Sequence, residues 1–356
     1  MEKVVLAMSG GVDSSVAAYL LIEQGYEVVG VTMQVWQPED ALAAAEHGGC
    51  CGITAVDDAR QVCNKLGIQH YVLNFREAFK TDVIEPFVQG YMAGITPNPC
   101  IACNRYVKWQ HLYNKAKLLD ADFIATGHYA NIAKHDQTCR LSIQASQSAK
   151  DQSYALYNLS QQALAKTLFP LTNMPKDEVR KIASEHLGMH MAQKPDSQEI
   201  CFVPYKDHAT FLIDKLGELP RGNFVDMQGN VLKPHDGIGR YTIVQRKGLG
   251  AFGKPMFVQA ICATTHNVTL SDNEQDLFTK TMTLHDINFM THASIDAPMQ
   301  AHGKIRYAHK PAQCTITQKN NEITATFNEP QRAITPGQSA VFYDANGLII
   351  CGGIIK

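Results

Sequence analysis

The chain has 356 residues, of which 45% are hydrophobic, and its 32 Lys+Arg against 34 Asp+Glu give a formal net charge of -2. A chain this apolar and this weakly charged can bury a core, which excludes disordered, collagen-like and coiled-coil proteins. Domains commonly hold about 100–200 residues, so the length predicts two or three domains. The balanced total charge gives no sign of a polyanionic partner.

The first apolar run, Val4 to Met8, is too short for a signal peptide, and no stretch approaches the about 18 consecutive apolar residues of a membrane span. We therefore expect a cytoplasmic protein with no membrane partner. Cytosolic cysteines are mostly reduced, and buried ones behave as small hydrophobic residues. We expect that role for five cysteines with apolar or strand-like neighbours: Cys63, Cys139, Cys262, Cys314 and Cys351.

The N-terminal part has the pattern of a parallel-sheet protein. An apolar strand at residues 4–8 is followed by helical spacing over residues 12–24, which Gly25 ends, and by a second strand at residues 28–33. Further apolar runs at residues 70–73 and 123–126 continue the alternation. The pattern predicts a doubly wound α/β domain over residues 1–206.

The sequence after Lys206 is β-rich. Strand-like segments at residues 240–245, 256–263 and 267–270 predict a small linking domain over residues 207–280. Short alternating runs then predict a compact β-barrel over residues 281–356. These runs are separated by turn dipeptides and lie at residues 313–317, 322–327, 339–343 and 348–355.

A glycine-rich turn, Ser9–Ser15, lies between the first strand and the first helix. Backbone N–H groups and the helix dipole form an anion site at such a turn, and Ser9, Ser14 and Ser15 can add hydroxyl donors. A plain tight turn capped by Asp13 or Ser14 is the alternative. The loop resembles that of the PP-loop ATP pyrophosphatases, which cleave ATP to AMP and pyrophosphate.

A second glycine-rich segment, Gly248–Gly253, matches the dinucleotide fingerprint and most of a Walker A loop. Both motifs must open a helix, whereas the residues that follow are strand-like. Pro255 also stands where the Walker motif needs a hydroxyl group. We therefore expect a plain loop.

Cys100 and Cys103 stand three residues apart in the Pro-rich segment Thr96–Arg105. Helical spacing after Cys103 places it near a helix N-terminus, where the dipole and Arg105 favour a reactive thiolate. Half of a zinc site and two packing cysteines are the alternatives; the nearest other pair, Cys50-Cys51, is poorly spaced for chelation.

A third cysteine, Cys201, follows a polar segment that starts at Asp196. The segments around Cys103 and Cys201 together closely resemble the MnmA/TRMU family of tRNA-specific 2-thiouridylases, a branch of the PP-loop enzymes. The resemblance extends in the same order over nearly the whole chain. It also includes residues 125–129, 150–154, 235–243, 245–250, 306–307 and 337–343.

The resemblance implies an ATP-dependent, Mg²⁺-requiring transferase that modifies the wobble uridine of tRNA for Lys, Glu and Gln. ATP would adenylate the C2 oxygen, and a persulfide on Cys201 would deliver sulfur with Cys103 as partner nucleophile, leaving 2-thiouridine, AMP and pyrophosphate. A persulfide donor protein is an implied partner. The implied ATP-binding residues are Ala7, Met8, Ser9, Gly10, Gly11, Val12, Asp13, Ser14, Met33 and Gly127. The implied target-base contacts are Asn98, Pro99 and Cys100, and the implied tRNA contacts are His128, Lys150, Asp151, Gln152, Arg306, Tyr307 and Gln338.

One position departs from the family pattern. Relatives carry Asp where this chain has Cys100. A thiol there either takes over the proton transfer implied for that Asp or has another role. An iron-sulfur cluster on Cys100, Cys103 and Cys201 is the second hypothesis after persulfide chemistry.

Two other functions remain open at this point. An AMP-forming amide synthetase would use the same ATP loop without needing Cys103 or Cys201, and a metal-stapled RNA-binding module would bind no ATP.

The nearly neutral net charge of the whole chain also hides a basic segment. Between Arg221 and Lys254 six basic residues stand against two acidic ones, a local excess of 6 − 2 = 4. If this segment lies along RNA, binding must weaken with salt.

Overall fold

The computed structural model describes residues 1–36, 53–196, 200–203 and 207–356. Cys50, Cys51 and residues 197–199 of the Cys201 segment lie outside the described residues. The chain divides into two compact units. The first contains Met1–Val83, Cys100–Lys206 and Asn346–Ile349, and the second contains Ile84–Pro99, Asp207–Ala345 and Ile350–Lys356.

The first unit is built on a parallel sheet. Its strands are β1 Lys3–Ala7, β2 Glu27–Gln34, β3 Gln69–Asn74, β4 Phe123–Ala125, β5 Asn131–Lys134, β6 Leu141–Gln144 and β7 Thr167–Leu168. The main sheet has the order β3-β2-β1-β4-β7, and β5 and β6 form a separate antiparallel hairpin. Every described pairing of the main sheet is parallel. This confirms the predicted fold class.

Strand β1 is central in this sheet because it pairs with both β2 and β4. Val4, Val5 and Leu6 are 0% exposed, which explains the uninterrupted apolar run in the sequence. Helix α1, Val12–Glu23, packs its buried face into the same core through residues such as Val16 and Leu21. The chain turns back at Gly25, whose φ of +86° favours glycine, as the sequence predicts.

The other α-helices that the structure describes connect the strands along the chain. Their bounds are α2 Ile53–Leu66, α3 Arg76–Phe79, α4 Glu85–Met92, α5 Pro99–Ala102, α6 Tyr113–Lys117, α7 Gln161–Leu164, α8 Lys176–Ile182, α9 Met189–Gln193 and α10 His208–Leu216. Wider π-helical turns continue several of them, at Lys80–Ile84, Cys103–Leu112 and Ala183–Leu187. Short 3₁₀ turns lie at Ser153–Leu156, Ile238–Arg240 and Glu274–Leu277. None of the helices that the structure describes is long and apolar enough to cross a membrane.

The second unit contains a four-stranded sheet and a closed barrel. The sheet has the order β10-β11-β8-β9, with β8 Gly222–Val225, β9 Val231–His235, β10 Phe257–Cys262 and β11 Asn267–Ser271. The barrel closes in the order β12-β15-β14-β13-β16-β17. Its strands are β12 Phe278–Phe289, β13 Met299–Lys304, β14 Ala312–Lys319, β15 Glu322–Arg332, β16 Ser339–Tyr343 and β17 Ile349–Ile355. The predicted barrel is confirmed.

The prediction of a strand at residues 240–245 is wrong. Residues 238–240 form a 3₁₀ turn, and Thr242 N–H donates to the Gln245 side-chain oxygen at 3.0 Å while Gln245 N–H donates to the Thr242 carbonyl at 3.0 Å. Val244 has a φ of +75°, which no strand accommodates. The loop expected at residues 248–253 is confirmed, and β10 follows it.

Of the five cysteines that we expected to be buried, three are buried and two are exposed. Cys63, Cys314 and Cys351 are buried as expected, and burial raises the pKa of Cys63 to about 11 and of Cys314 to about 12. Cys139 and Cys262 are exposed, which corrects the prediction for both. Cys139 stands in the turn of the β5–β6 hairpin with a φ of +57°, and Cys262 ends the outer strand β10.

Candidate active site

The loop Ser9–Ser15 follows β1 and turns into α1. Gly10 has a φ of +66°, and a Cβ on it would lie 2.2 Å from the carbonyl oxygen of Ala55 in α2. Ser9 N–H donates to the Ser14 hydroxyl at 3.2 Å, and the hydroxyls of Ser14 and Ser15 donate to the Gly11 carbonyl at 3.1 and 2.9 Å. These hydroxyls therefore brace the loop. Gly11, rather than Asp13 or Ser14, is the N-cap of α1.

The position of this loop in the sheet favours a nucleotide site. The chain order reverses between β1 and β4, and ligands of open parallel sheets bind beyond the carboxyl ends of the strands at such a reversal. Gly127 lies just beyond β4, and a Cβ on it would stand 2.8 Å from the Asp13 carbonyl carbon and the Ser14 nitrogen. The loop after β4 and the glycine-rich loop therefore lie in contact, with no room for a side chain at Gly127.

The remaining predicted ATP residues are apolar and inward-facing. Met8 and Val12 are 2% and 4% exposed, and Ala7 and Met33 are each 9% exposed. Met33 belongs to β2 and lies opposite Leu73 in β3. Because these side chains are buried, Ala7, Met8 and Val12 can reach a phosphate only through their backbone groups.

A cluster of charged side chains connects the glycine-rich loop to the segment before Cys201. The Asp13 carboxylate accepts hydrogen bonds from Lys176 Nζ at 2.7 and 2.9 Å and from the Tyr129 hydroxyl at 2.6 Å. Lys176 Nζ also lies 2.8 Å from Asp196. Lys150 and Arg180 each contact Asp196 at 3.1 Å. One lysine thus bridges the glycine-rich loop and Asp196.

The pKa values of this cluster follow from its contacts. Burial alone would raise the pKa of Asp196, but hydrogen bonds from Lys176 and Lys150 outweigh it and hold the pKa below the ordinary value. Burial, followed by the hydrogen bond to Asp13, raises the pKa of the Tyr129 hydroxyl. Tyr129 is therefore a neutral donor and Asp196 a carboxylate at neutral pH.

A second lysine holds the same loop. Lys194 Nζ donates to the Gly10 carbonyl at 2.8 Å and forms an ion pair with Asp58 in α2. Lys194 precedes Pro195 and Asp196 in the chain, so the segment leading to Cys201 contacts the glycine-rich loop directly through Lys194 and indirectly through the Asp196–Lys176 ion pair.

Of the predicted tRNA residues of the first unit, Lys150 and Gln152 contact this network, and Asp151 and His128 form hydrogen bonds elsewhere. The Gln152 side-chain oxygen accepts from Tyr129 N–H at 3.0 Å, and Asp151 accepts from Ser153 and from Ser146 N–H. His128 Nδ1 lies 2.7 Å from the Thr126 hydroxyl, and its ring is 5.7 Å from that of Trp109. Burial first, and the charge of Lys108 second, hold the pKa of His128 well below its ordinary value.

Cys103 lies in the helical run that starts at Pro99, at the point where the α-helix widens into a π-helix. π-turns are frequent at functional sites. Cys100 is exposed and Cys103 is half-buried. The next residue, Asn104, is 4% exposed; it donates to the Ala155 carbonyl at 2.8 Å and accepts from Lys108 Nζ at 2.8 Å. The Cys103 helix is thereby tied to the turn that follows Gln152.

Cys201 is half-buried beside the fully buried Phe202. The Phe202 ring packs edge-on against Phe79 of α3, with ring centroids 5.5 Å apart. Helix α3 also packs against the π-helix Cys103–Leu112. The segments of Cys103 and Cys201, which are remote in sequence, therefore pack on the same short helix.

The described residues contain no group of three or more His, Cys, Asp or Glu side chains placed to hold a metal ion. Cys100, Cys103 and Cys201 are among those residues, so they are not arranged as an iron-sulfur ligand set.

The predicted residues of the second unit lie on and around the barrel. Tyr307 is 48% exposed, with Lys304 Nζ 5.8 Å from its ring centre, and Arg306 donates to the Arg332 carbonyl at 3.1 Å. The Gln338 side chain donates to the Thr96 carbonyl at 2.9 Å. Gln338 thus contacts the segment that leads to Asn98 and Pro99.

Sequence reasoning missed the side chains that hold the glycine-rich loop, which are Lys176, Lys194 and Tyr129, and also Arg180, which contacts Asp196. Lys176, Lys194 and Tyr129 are remote from the loop in sequence and reach it only after folding. One available signal was the Lys194-Pro195-Asp196 string next to the Cys201 segment.

Comparison with known families covers almost the whole chain. The family described as "tRNA methyl transferase HUP domain" matches residues 2–205, "tRNA methyl transferase PRC-barrel domain" matches residues 209–272, and "Aminomethyltransferase beta-barrel domain" matches residues 279–355. Among solved structures, an NMN synthetase from Francisella tularensis is 17% identical with a TM-score of 0.34, covering 55% of this chain and 66% of its own.

Curated relatives match from end to end. "tRNA-specific 2-thiouridylase MnmA" of Lachnoclostridium phytofermentans is 51% identical, with 100% of both chains covered. The protein of the same name in Clostridioides difficile is 50% identical, covering 100% of this chain and 98% of its own. With half of its residues identical over its full length, this chain belongs to the MnmA family of tRNA-specific 2-thiouridylases.

Proposed function

We propose that this chain is an ATP-dependent tRNA-uridine 2-sulfurtransferase. The observation that carries the proposal is identity of about 50% over the full chain with relatives named tRNA-specific 2-thiouridylase MnmA. The three domains at residues 1–206, 207–280 and 281–356 are part of the proposal, with ATP and sulfur chemistry in the first and RNA binding in the other two.

ATP binds at the glycine-rich loop. Its phosphates lie against the backbone N–H groups of residues 9–14, its adenosine lies near Met33 and Gly127, and the close contact of Gly127 with Asp13 supports this placement. Mg²⁺ would neutralise part of the phosphate charge, held by one or two carboxylates together with phosphate oxygens, as is common for this ion. Asp13 is the carboxylate at the loop, and Lys176 and Tyr129 hold it in place.

The uridine C2 oxygen attacks the α-phosphorus of ATP and releases pyrophosphate. The terminal sulfur of a Cys201 persulfide then becomes bonded to C2, the C2–O bond breaks, and AMP leaves. The Cys103 thiolate takes the other sulfur of the persulfide, so that the S–S bond of the persulfide is replaced by a Cys103–Cys201 disulfide. Alternatively Cys103 attacks first and releases hydrosulfide, which then attacks C2. A thiol reductant restores both cysteines.

Cys100 stands at the target base with Asn98 and Pro99 and exchanges a proton with it. The iron-sulfur alternative is the weaker one, because Cys100, Cys103 and Cys201 are not grouped as ligands. An AMP-forming amide synthetase is weaker still, because nothing in it requires the two cysteine segments that pack on α3.

The RNA substrate is the anticodon arm of tRNA for Lys, Glu and Gln. His128, Lys150, Asp151 and Gln152 contact it near the reaction, and Arg306 and Tyr307 contact it from the barrel. The resemblance implies a tRNA contact for Gln338 as well, but the side-chain amide of Gln338 donates to the Thr96 carbonyl. The wobble base leaves its stack to reach the sheet edge. A protein persulfide supplies the sulfur.

The test is mass spectrometry of the wobble uridine after tRNA is incubated with the protein, ATP, Mg²⁺ and a persulfide donor. Cys201→Ser must abolish 2-thiouridine while ATP–pyrophosphate exchange on tRNA remains. Cys139→Ser, a change at an exposed hairpin cysteine outside the proposed site, is the matched control and must stay active. Wild-type activity in Cys201→Ser would refute the assignment, and a methylated base would refute the reaction.

The iron-sulfur alternative is tested by a separate measurement. Protein purified without oxygen is analysed for iron and inorganic sulfide before the assay. Full thiolation by iron-free protein eliminates the cluster, whereas activity that rises in proportion to bound iron would replace the persulfide proposal.

A further inference from the structure

A single turn of the barrel binds both backbone polar groups of Thr96. This turn, Thr335–Gln338, precedes β16. Thr96 N–H donates to the Pro336 carbonyl at 2.9 Å, and Gln338 Nε2 donates to the Thr96 carbonyl at 2.9 Å. Two hydrogen bonds to one residue fix its position and its orientation.

Gly337 lies between these two bonds and lets the chains approach closely. Its φ is +88°, and a Cβ on it would stand 2.8 Å from the Thr96 nitrogen and 2.9 Å from the Ile95 Cβ. Only glycine fits this contact, because any side chain would displace the backbone of Thr96.

The segment around Thr96 is anchored at further points in the same unit. A Cβ on Gly90 of α4 would stand 2.9 Å from the Pro97 ring, and Ile95 N–H donates to the Gly90 carbonyl at 3.0 Å. Tyr91 stacks on His208 with ring centroids 4.7 Å apart. The segment is therefore held by α4 as well as by the Thr335–Gln338 turn of the barrel.

Little flexibility separates Thr96 from the cysteines. Pro97 and Pro99 each have a fixed φ, and the helical run that contains Cys100 and Cys103 starts at Pro99. The position of Thr96 is therefore passed along the chain to the residues proposed to meet the base.

We propose that Gln338, together with Gly337, is a positioning residue that sets the loop of Cys100 and Cys103 for sulfur transfer. The inference rests on the proposed function. It differs from the tRNA contact that the family resemblance implies for Gln338, because the side-chain amide donates to Thr96 instead. The barrel thereby contributes to the rate of reaction and not only to RNA affinity.

The variant Gln338→Met is suited to the test, since the turn does not depend on this side chain. Gln338 N–H donates to Thr335, Gly337 N–H donates to the Ile355 carbonyl at 2.9 Å, and Ile355 N–H donates to the Gln338 carbonyl at 2.8 Å. These backbone bonds remain in the variant. Gln338→Glu, whose carboxylate cannot donate, makes the same comparison if the Met variant fails to fold.

Three quantities are measured on wild type and variant: the single-turnover thiolation rate at saturating tRNA, the Kd for tRNA, and the rate at which iodoacetamide alkylates Cys103. We expect the thiolation rate to fall about three- to tenfold, as for the loss of one hydrogen bond, with an unchanged Kd. Cys103 alkylation must change about threefold or more while the exposed Cys262 serves as internal reference.

A weaker Kd with an unchanged saturating rate would overturn the inference and make Gln338 an RNA contact. Unchanged alkylation together with an unchanged rate would also overturn it. The alkylation arm needs no thiolation activity, so it tests the inference even if the wild type forms no 2-thiouridine, an outcome that refutes the proposed function instead.

Gly337→Ala gives an independent check with a matched control. Gly229 has nearly the same φ, +87°, but a Cβ on it meets nothing within 4 Å. Both variants carry the backbone strain, and only Gly337→Ala displaces Thr96. We expect Gly337→Ala to slow thiolation by at least about tenfold more than Gly229→Ala; equal rates would contradict the inference.

Discussion

Lys176 joins two acidic groups beside the glycine-rich loop. Its ammonium group contacts carboxylates on two separate segments, Asp13 on the loop and Asp196 ahead of Cys201. Its side chain is 13% exposed, so the surrounding solvent screens these contacts only partly. If ATP binds at this loop as proposed, its phosphates meet a lysine that is already held in place.

We predict that Lys176→Met lowers the free energy of unfolding by about 1–3 kcal/mol, between the values of exposed and buried ion pairs, because it leaves two partly buried carboxylates without their shared cation. It also raises the KM for ATP in pyrophosphate exchange. Lys181→Met is the control, since Lys181 is exposed, lies 4.0 Å from Glu185, and should cost about 0.5 kcal/mol or less. Urea unfolding measures both variants.

The ion pair between Lys176 and Asp196 makes the free energy of unfolding depend on pH. Lys176 lowers the pKa of Asp196, so its stabilisation is present above the unfolded carboxyl pKa of about 3.9 and is lost as pH falls through the folded value. The difference between wild type and Lys176→Met must therefore shrink in acid. A difference that grows below about pH 4 would contradict the ion-pair explanation.

At the scale of elements, the glycine-rich loop Ser9–Ser15 is shaped by its contact with α2. Gly10 approaches the Ala55 carbonyl so closely that the loop cannot keep its path with a side chain there. Lys194 fastens the same glycine to α2 through Asp58. The strand, the loop and two helices thus determine the geometry that the glycines permit.

We predict that Gly10→Ala weakens ATP binding by more than about tenfold, because it adds a backbone clash to the strain of a positive φ, which alone costs about 1–2 kcal/mol. Gly25→Ala is the matched control, with a φ of +86° and nothing within 4 Å of the added Cβ. Calorimetric titration of ATP measures both. Equal affinities would mean that the contact with Ala55 does not shape the site.

At the scale of the whole molecule, the near-zero net charge conceals an uneven distribution. Arg221, Arg246, Lys247 and Lys254 are exposed in the second unit, within the segment that has an excess of four positive charges. Lys254 forms an ion pair with Asp272, while the loop of Arg246 and Lys247 follows the Thr242–Gln245 turn. This segment is where we expect phosphate contacts.

We predict that tRNA affinity falls with rising salt and that Arg246→Gln reduces the slope of log K against log salt by about one, because each phosphate contact releases counterions. Lys181→Gln removes the same charge from the first unit and should leave the slope unchanged. Filter binding at several salt concentrations measures the slopes. Salt-independent affinity would refute the placement of RNA on this segment.

The sequence by itself determined the parts of this protein that local forces encode. The apolar run of β1, the glycine-rich turn and the helix that ends before Gly25 follow from hydrophobic period and turn chemistry, and the barrel strands follow from alternation and turn dipeptides. Local pattern failed where a side chain decides the backbone, as at residues 240–245, where Gln245 closes a turn and Val244 has a positive φ.

Only the tertiary structure decided which residues meet. Lys176 and Asp13 are 163 residues apart in the chain, and Gln338 and Thr96 are 242 apart. Such pairs leave no local pattern, since each partner alone has the composition of a solvated surface. The same holds for Cys139 and Cys262, whose apolar or strand-like neighbours suggested a core but whose turn and outer-strand positions expose them. Local periodicity fixes the identity of an element, whereas the packing of elements fixes its contacts.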